Sequence, residues 1–252
     1  MSSLELIGLE GIPEIRPGDD LAAAIRAALA AAGIGLRGDD CLVVTQKVVS
    51  KAEGRVVELA SVEPSPFARE WAERWGKDAR QVELVLRESA EIVRMAPGGL
   101  IVSRTHHGFV CANAGVDLSN VGEGAGERAV LLPVDPDASA RALAEELGVP
   151  VIISDSFGRP WRNGIVNIAV GVAGLAPLID LRGQPDASGR VMHSTVVAVA
   201  DELASAADLA GGKVEQRPVV LVRGYAWEAA AERGSGSGAR ALVMETARDL
   251  FP

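Results

Sequence analysis

Along the chain, the apolar positions change period several times, and each change marks an element. "LAAAIRAALAAAG", Leu21 to Gly33, has helical spacing, with Asp19 and Asp20 as an acidic start and Gly33 as a stop. "CLVVTQKVVS", Cys41 to Ser50, is rich in β-branched residues and predicts a strand. Pro64 to Gly76 and Val82 to Ser89 predict helices, while "LIVSRT" and "GFVCAN" predict strands on either side of a His-His turn. "AVLLPV" leads into "DPDASARALAEELG", where an Asp-Pro-Asp start and Gly148 frame another helix, followed by a buried strand from Val151. Ser194 to Gly211 predicts an Ala/Leu/Val helix, "PVVLVRG" a buried strand and Ala239 to Leu250 a closing helix. Strands and helices mixed in this way predict an α/β or α+β class. Strict alternation fails between Leu100 and Val134, so an ordinary doubly wound sheet does not follow.

Composition narrows the function. In 252 residues, 48% hydrophobic content suffices for a sizeable core, as one domain or two. A formal charge of −9 gives no general attraction to nucleic acid or to an anionic membrane, so a polyanion must meet a local basic cluster. Cys41 and Cys111 both sit in apolar runs, as free buried thiols do, which points to the reducing cytosol. The first residues have neither a basic nor an apolar leader region, and the least polar stretch, Ile165 to Ile179, is too short and too rich in Gly and Pro to span a bilayer. "RGSGSG", Arg233 to Gly238, reads as a flexible loop.

Four stretches carry candidate chemistry, and none is a GxxxxGK[ST] phosphate loop. In "VIISDSFGRPWRNG" a buried strand breaks into a turn at Asp155 and Ser156, whose hard oxygens suit Mg²⁺ or Mn²⁺ at a sheet's carboxyl edge. Arg159 and Arg162 then stand ready for phosphate or carboxylate. A capping Asp155 and a solvated arginine rim fit the same pattern. "HHGFVCANAGVDLSN" offers Asn113, Asp117, Ser119 and Asn120, placed for an ion or for an Asx-turn. Its two histidines lack a third ligand at zinc spacing. "TQKVVSKAEGRVV" places Lys47 and Lys51 four apart, on a strand turning into a loop, for phosphate neutralisation or as a charged rim. "GGKVEQRPVVLVRG" has a Gly211-Gly212-Lys213 turn whose amides can approach an anion.

Together these stretches closely resemble the coenzyme F420-0:L-glutamate ligases, or gamma-glutamyl ligases, of deazaflavin cofactor synthesis. "GIPEIRPGDDL", "VVTQKVVSKAEGRVV", "HGFVCANAGVDLSNV", "LLPVDPDASA", "VIISDSFGRPWR", "AVGVAGLAPLIDLRG", "ADELASAADL" and "PVVLVRG" occur in the family's order over nearly the whole chain. The chain looks like the stand-alone form, without the nitroreductase-like domain fused to it in mycobacteria.

The resemblance implies a two-part, non-P-loop α/β fold in an intertwined homodimer. It implies a cytoplasmic, GTP-dependent enzyme that activates the carboxylate of coenzyme F420-0 as an acyl phosphate, which the amine of L-glutamate then displaces. Further glutamates join through the gamma carboxylate. By the family's pattern Asp117 and Asp155 hold one divalent ion, Mn²⁺ or Mg²⁺, and Ser156 helps hold a second, with K⁺ as a further candidate ion. Ile12, Pro13, Glu14, Ile15, Gln46, Lys47, Lys51, Asn120 and the loop from Gly211, Gly212 and Lys213 to about Arg217 contact GTP. Lys213 stands where some members carry a metal-binding glutamate, leaving Glu215, or phosphates and water, as alternatives. Arg159 and Arg162, expected in the catalytic set with Asp155, face phosphate or the acidic substrates. Two other readings remain open at this point, a ligase of the same architecture acting on another carboxylate and a GTP-binding regulatory module without turnover. A boundary between subdomains is expected near Gly76 to Arg80 or Asp180 to Arg190, if there is one.

Overall fold

The structure is a computed structural model and describes residues 3–118, 126–229 and 238–248. The chain opens with strand β1 (Glu5–Gly8) and helix α1 (Leu21–Ala31), whose N-cap Asp20 accepts the amide of Ala23. Strand β2 (Asp40–Thr45) runs directly into helix α2 (Gln46–Ala52), followed by β3 (Val56–Glu58). Helices α3 (Pro66–Trp75) and α4 (Ala79–Arg87) come next, then strands β4 (Ser89–Ala96), β5 (Leu100–Thr105), β6 (Val110–Ala112) and β7 (Arg128–Val130). Helix α5 (Pro136–Leu147) starts on its Asp135 cap and ends at left-handed Gly148. Strands β8 (Val151–Arg159) and β9 (Arg162–Ala173) form a long hairpin. Short strands β10 (Ile179–Asp180) and β11 (Val196–Val197), helix α6 (Val199–Gly211) and strand β12 (Val219–Arg223) complete the named elements.

The main sheet has the order β1-β12-β2-β8-β9, and only β2 and β8 are parallel. Three smaller sheets accompany it among the described residues, β3-β7, β4-β5-β6 and β10-β11. The class is therefore mixed, of the α+β kind, and the departure from strict alternation is real. Two apolar clusters form. The larger gathers Leu42, Val44, Ile152, Ile153 and Leu221 of the main sheet with Ile25 of α1 and Leu203 of α6. The smaller packs α3 and α4 against Ile101 and Leu131, with Leu59 fully buried among them. Cys41 and Cys111 are free and buried, as expected.

Four expectations need correction. Cys41 to Ser50 is not one strand: pairing with β8 ends at Thr45 opposite Ser154, and the chain then turns into α2. Lys47 and Lys51 thus lie on a helix, where a spacing of four puts them on one face. The strand from Val151 does not break at Asp155. It continues to Arg159, because β9 pairs with it beyond the end of β2. Helix α6 begins at Val199 rather than Ser194, since Val196 and Val197 pair with β10 and Asp201 and Glu202 then supply the acidic first turn. The closing helix is absent over 239–248. Two short 3₁₀ turns stand there, separated by Val243 in an extended conformation.

Candidate functional site

Parallel pairing of β2 with β8 brings the carboxyl ends of both strands to one edge, and the site is built there. Gln46 and Lys47 open α2 just after Thr45, and Asp155 follows Ser154 one register step beyond the same pair. The Gln46 side chain is buried, donates to the Asp155 carboxylate and accepts the Ser50 hydroxyl at 2.8 Å. Burial is the main reason the Asp155 carboxyl is pushed up to about 6. The Asp117 charge adds to it, while the Ser156 amide, Lys47 and Gln46 pull the other way without cancelling it.

Asp117 arrives from a different element. Asn113, Ala114 and Gly115 follow β6 with three successive left-handed backbones, at φ 52°, 51° and 72°. A Cβ on Gly115 would stand 2.8 Å from Leu132 Cγ, so only glycine fits. The turn is pinned where Asn113 Oδ1 accepts the Ile101 amide and where Asp117 and Val130 exchange backbone hydrogen bonds. It delivers Asp117 Oδ2 to within 2.7 Å of Lys47 Nζ. Asp117, Lys47, Asp155 and Gln46 thus form one group of two carboxylates, one ammonium and one amide.

On the next turn of α2, Lys51 is buried and its ammonium meets Glu14 at 2.5 Å. That contact lays the Ile12, Pro13, Glu14, Ile15 segment along α2, with Ile15 buried in the core and the Gly18 amide donating to Ala52 O. The nucleotide-contact candidates on the two segments are therefore neighbours.

Ser156 belongs to a second group. Adjacent residues on a strand point to opposite faces, so Ser156 turns away from Asp155. Its hydroxyl donates to Asn167 Oδ1 at 2.7 Å and accepts from Lys213 Nζ at 2.7 Å. The Lys213 ammonium also reaches Asn167 Oδ1 and Asp208 Oδ1, each at 3.0 Å. Close by, Glu215 folds over the glycine turn. Amides of residues 213 to 215 bond its carboxyl and, with Arg217, hold it below the usual range, and a Cβ on Gly212 would collide with it. Gly211, the last residue of α6, carries the chain into this turn.

Arg159 and Arg162 flank the tip of the β8-β9 hairpin, with Trp161 between them at φ 55° and 81% exposed. Arg159 Nη2 donates to Asn163 O. At about 3.3 Å per residue the tip is roughly 13 Å beyond Asp155 along the strand. The structure does not bring these arginines to the carboxylate pair within one chain. Asn120 lies outside the described residues, as does Ser119.

With this geometry in view, comparison with known proteins is decisive. The family described as F420-0:Gamma-glutamyl ligase matches residues 11–224. The chain belongs to that family. A protein named Coenzyme F420:L-glutamate ligase from Methanothermobacter thermautotrophicus is 47% identical, over 98% of each chain. Proteins of the same name from Methanopyrus kandleri and Methanocaldococcus jannaschii are 44% and 39% identical, over 100% and 98% of this chain and 100% and 96% of their own.

The carboxylates of this family member fit a hard divalent ion. Burial raises Asp155, and Asp117 stands close enough to raise it further, so the two carboxylates share one small volume. Among the described residues no group of three His, Cys, Asp or Glu side chains gathers as a metal site. Two carboxylates completed by phosphate and water are the usual protein share for Mg²⁺. Reasoning from sequence missed Asn167 and Asp208 as the oxygens around Lys213. It also missed Arg240, which the fold places beside the His-His turn.

Proposed function

We propose that the chain is a GTP-dependent ligase that joins L-glutamate to coenzyme F420-0, first through the α-amine and then through gamma linkages. Family membership and the relatives' names support the class of reaction. The single observation that carries the mechanism is the Asp117–Lys47–Asp155–Gln46 group at the shared carboxyl edge of β2 and β8.

In this reading the γ-phosphoryl of GTP passes to the acceptor carboxylate, leaving GDP and an acyl phosphate. The glutamate amine attacks the acyl carbon, the carbon–oxygen bond to phosphate breaks, and the amine gives up a proton. Such chemistry needs phosphate charge neutralised and reactants held in line, with no covalent link to the enzyme. Lys47 and Lys51, on one face of α2, supply point charges along the phosphate chain. Glu14 holds Lys51 extended until the nucleotide arrives, and Gln46 fixes the Asp155 carboxylate. A divalent ion, Mn²⁺ or Mg²⁺, held by Asp117 and Asp155 would neutralise the transferring phosphoryl group. Ser156 and the Gly211-Gly212-Lys213 turn serve the phosphates from the other face of β8, with K⁺ or a second ion as the counter-charge there.

The exposed arm with Trp161 and Ile165 supports a homodimer, in which a second copy covers the hairpin and Arg159 and Arg162 reach the substrate anions of the partner. No helix among the described residues is long and apolar enough to cross a membrane.

The test combines purified protein, GTP, Mn²⁺, L-glutamate and coenzyme F420-0, read by mass spectrometry beside Asp155→Asn. A glutamyl mass increment that requires GTP and metal, and that the variant lacks, is the expected result. GTP turnover without the increment would direct the reaction to another carboxylate, and metal-independent binding without turnover would leave a regulatory module.

A further inference from the structure

We propose that the cavity between the His-His turn and the start of α5 is the seat of the amino-acid substrate. There Arg240 meets the carboxylate and Asp135 the ammonium of an α-amino acid. The inference rests on the ligase reading above and adds the place and the chemistry of glutamate binding.

The cavity measures about 320 Å³, and His106, His107, Phe109, Asp135, Asp137 and Arg240 are among its walls. That is at the low end of the roughly 300–1,000 Å³ of small-molecule sites, which suits one amino acid better than a tricyclic deazaflavin. Its lining has both signs of charge. A zwitterion answers both signs, its carboxylate facing Arg240 and its ammonium facing Asp135.

The walls are fixed. His107 Nε2 lies 2.8 Å from Pro133 O and 3.2 Å from Val134 O. Carbonyls only accept, so Nε2 carries a hydrogen and donates to them. Nδ1 is buried in the wall with no hydrogen-bond partner. The ring face stacks on Phe109 at 6.0 Å, which sets its plane.

Arg240 is held there by its neighbours. Asp137 Oδ1 accepts both the Ala239 amide at 2.7 Å and the Val172 amide at 2.8 Å, tying the 3₁₀ turn to α5 and β9. A Cβ on Gly238 would stand 2.4 Å from Asp137 Oδ2, and one on Gly108 would stand 3.2 Å from Val243 Cγ1. The segment around Arg240 therefore packs on α5 at Gly238 and on the His-His turn at Gly108, with glycine at both contacts.

The cavity also lies on the reacting side. Phe109 meets Phe157 edge-on at 6.3 Å, and Phe157 is on the same face of β8 as Asp155, two residues or roughly 7 Å away. Two residues after Phe109, the Cys111 thiol is pushed up to about 12, chiefly by burial and further by the charge of Asp155. Packing thus runs from the cavity wall through Phe109 and Phe157 to the strand that carries Asp155, beside which the acyl phosphate forms in the proposed reaction.

The test uses the full chain labelled with ¹⁵N at its three histidines, His106, His107 and His193. Addition of L-glutamate is expected to shift the His106 and His107 imidazole signals and to leave His193 in place. In steady-state ligation, Arg240→Ala is expected to raise KM for glutamate by about tenfold to a hundredfold, the range of one lost charge-assisted contact, with KM for GTP within about twofold. Arg240→Lys should recover part of it. Unmoved His106 and His107 signals in a sample that ligates glutamate would overturn the inference, as would a variant whose GTP constant rises instead. If no glutamate is ligated but another amino acid moves the His107 signal, the ligase reading fails and the cavity remains an amino-acid site.

Discussion

Lys47 Nζ stands 2.7 Å from Asp117 Oδ2, joining the first turn of α2 to the loop that follows the left-handed turn after β6. One ammonium thereby serves two carboxylates, since it also lowers the Asp155 pKa. Replacing Lys47 by Met keeps the stem and removes the charge. We expect kcat/KM to fall by about 10² to 10³, the scale of one lost contact to developing charge, with the melting temperature little changed. Steady-state ligation and calorimetry on the same sample check both parts.

Lys51 is the second cation of α2, with a side chain 8% exposed and Glu14 as its partner. Lys51→Met should raise KM for GTP by about tenfold and leave KM for glutamate unchanged, because the cation faces the segment proposed to contact the nucleotide. A change in the glutamate constant alone would remove Lys51 from the nucleotide site.

Much of this site was legible in the sequence, for a physical reason. Helices with their own caps are local objects, so Asp20 before α1 and Asp135 with Gly148 around α5 announced themselves. Asp117, Asp155, Lys47 and Lys51 were legible because each sits in a short polar interruption of an apolar run. Elements fixed by distant pairing were not. The turn from β2 into α2 is set by where β8 stops pairing, and the long hairpin by β9, and neither leaves a mark in the local pattern. The face each side chain takes was hidden too: Asp155 and Ser156 are neighbours in sequence and belong to different groups in space. Arg240 joins His107 only because Asp137 holds the Ala239 amide, a tertiary bond with no sequence signature.

Gly115 tests the turn that delivers Asp117. With φ at 72° and the Leu132 side chain 2.8 Å from where a methyl group would stand, Gly115→Ala should cost about 1–3 kcal/mol of stability. It should also weaken Mn²⁺ binding, measured by titration of the folded variant, because Asp117 moves with the turn. Full stability with unaltered metal affinity would show that the backbone there is not constrained.

The last prediction concerns acid stability and lies away from the site. Asp40 is fully buried and takes Arg223 in two bonds, Nε at 2.7 Å and Nη2 at 2.8 Å, with the Arg37 amide at 2.7 Å. Burial is the largest influence and raises its pKa, yet the Arg223 and Arg37 bonds together outweigh it and hold the carboxyl below its ordinary value. A carboxyl lowered on folding contributes stability that is fully present above its unfolded pKa, near 3.8, and is lost as pH falls through the lower folded value. Asp40→Asn leaves the Arg223 charge, 12% exposed, without its counter-ion, at a cost of about 3–5 kcal/mol near neutral pH. Urea unfolding of both proteins from pH 7 to pH 2 should show this gap wide at neutral pH and narrowing in acid, where the wild-type carboxyl takes up its proton. A gap that stays constant down to pH 2 would mean that the pair does not carry the acid dependence.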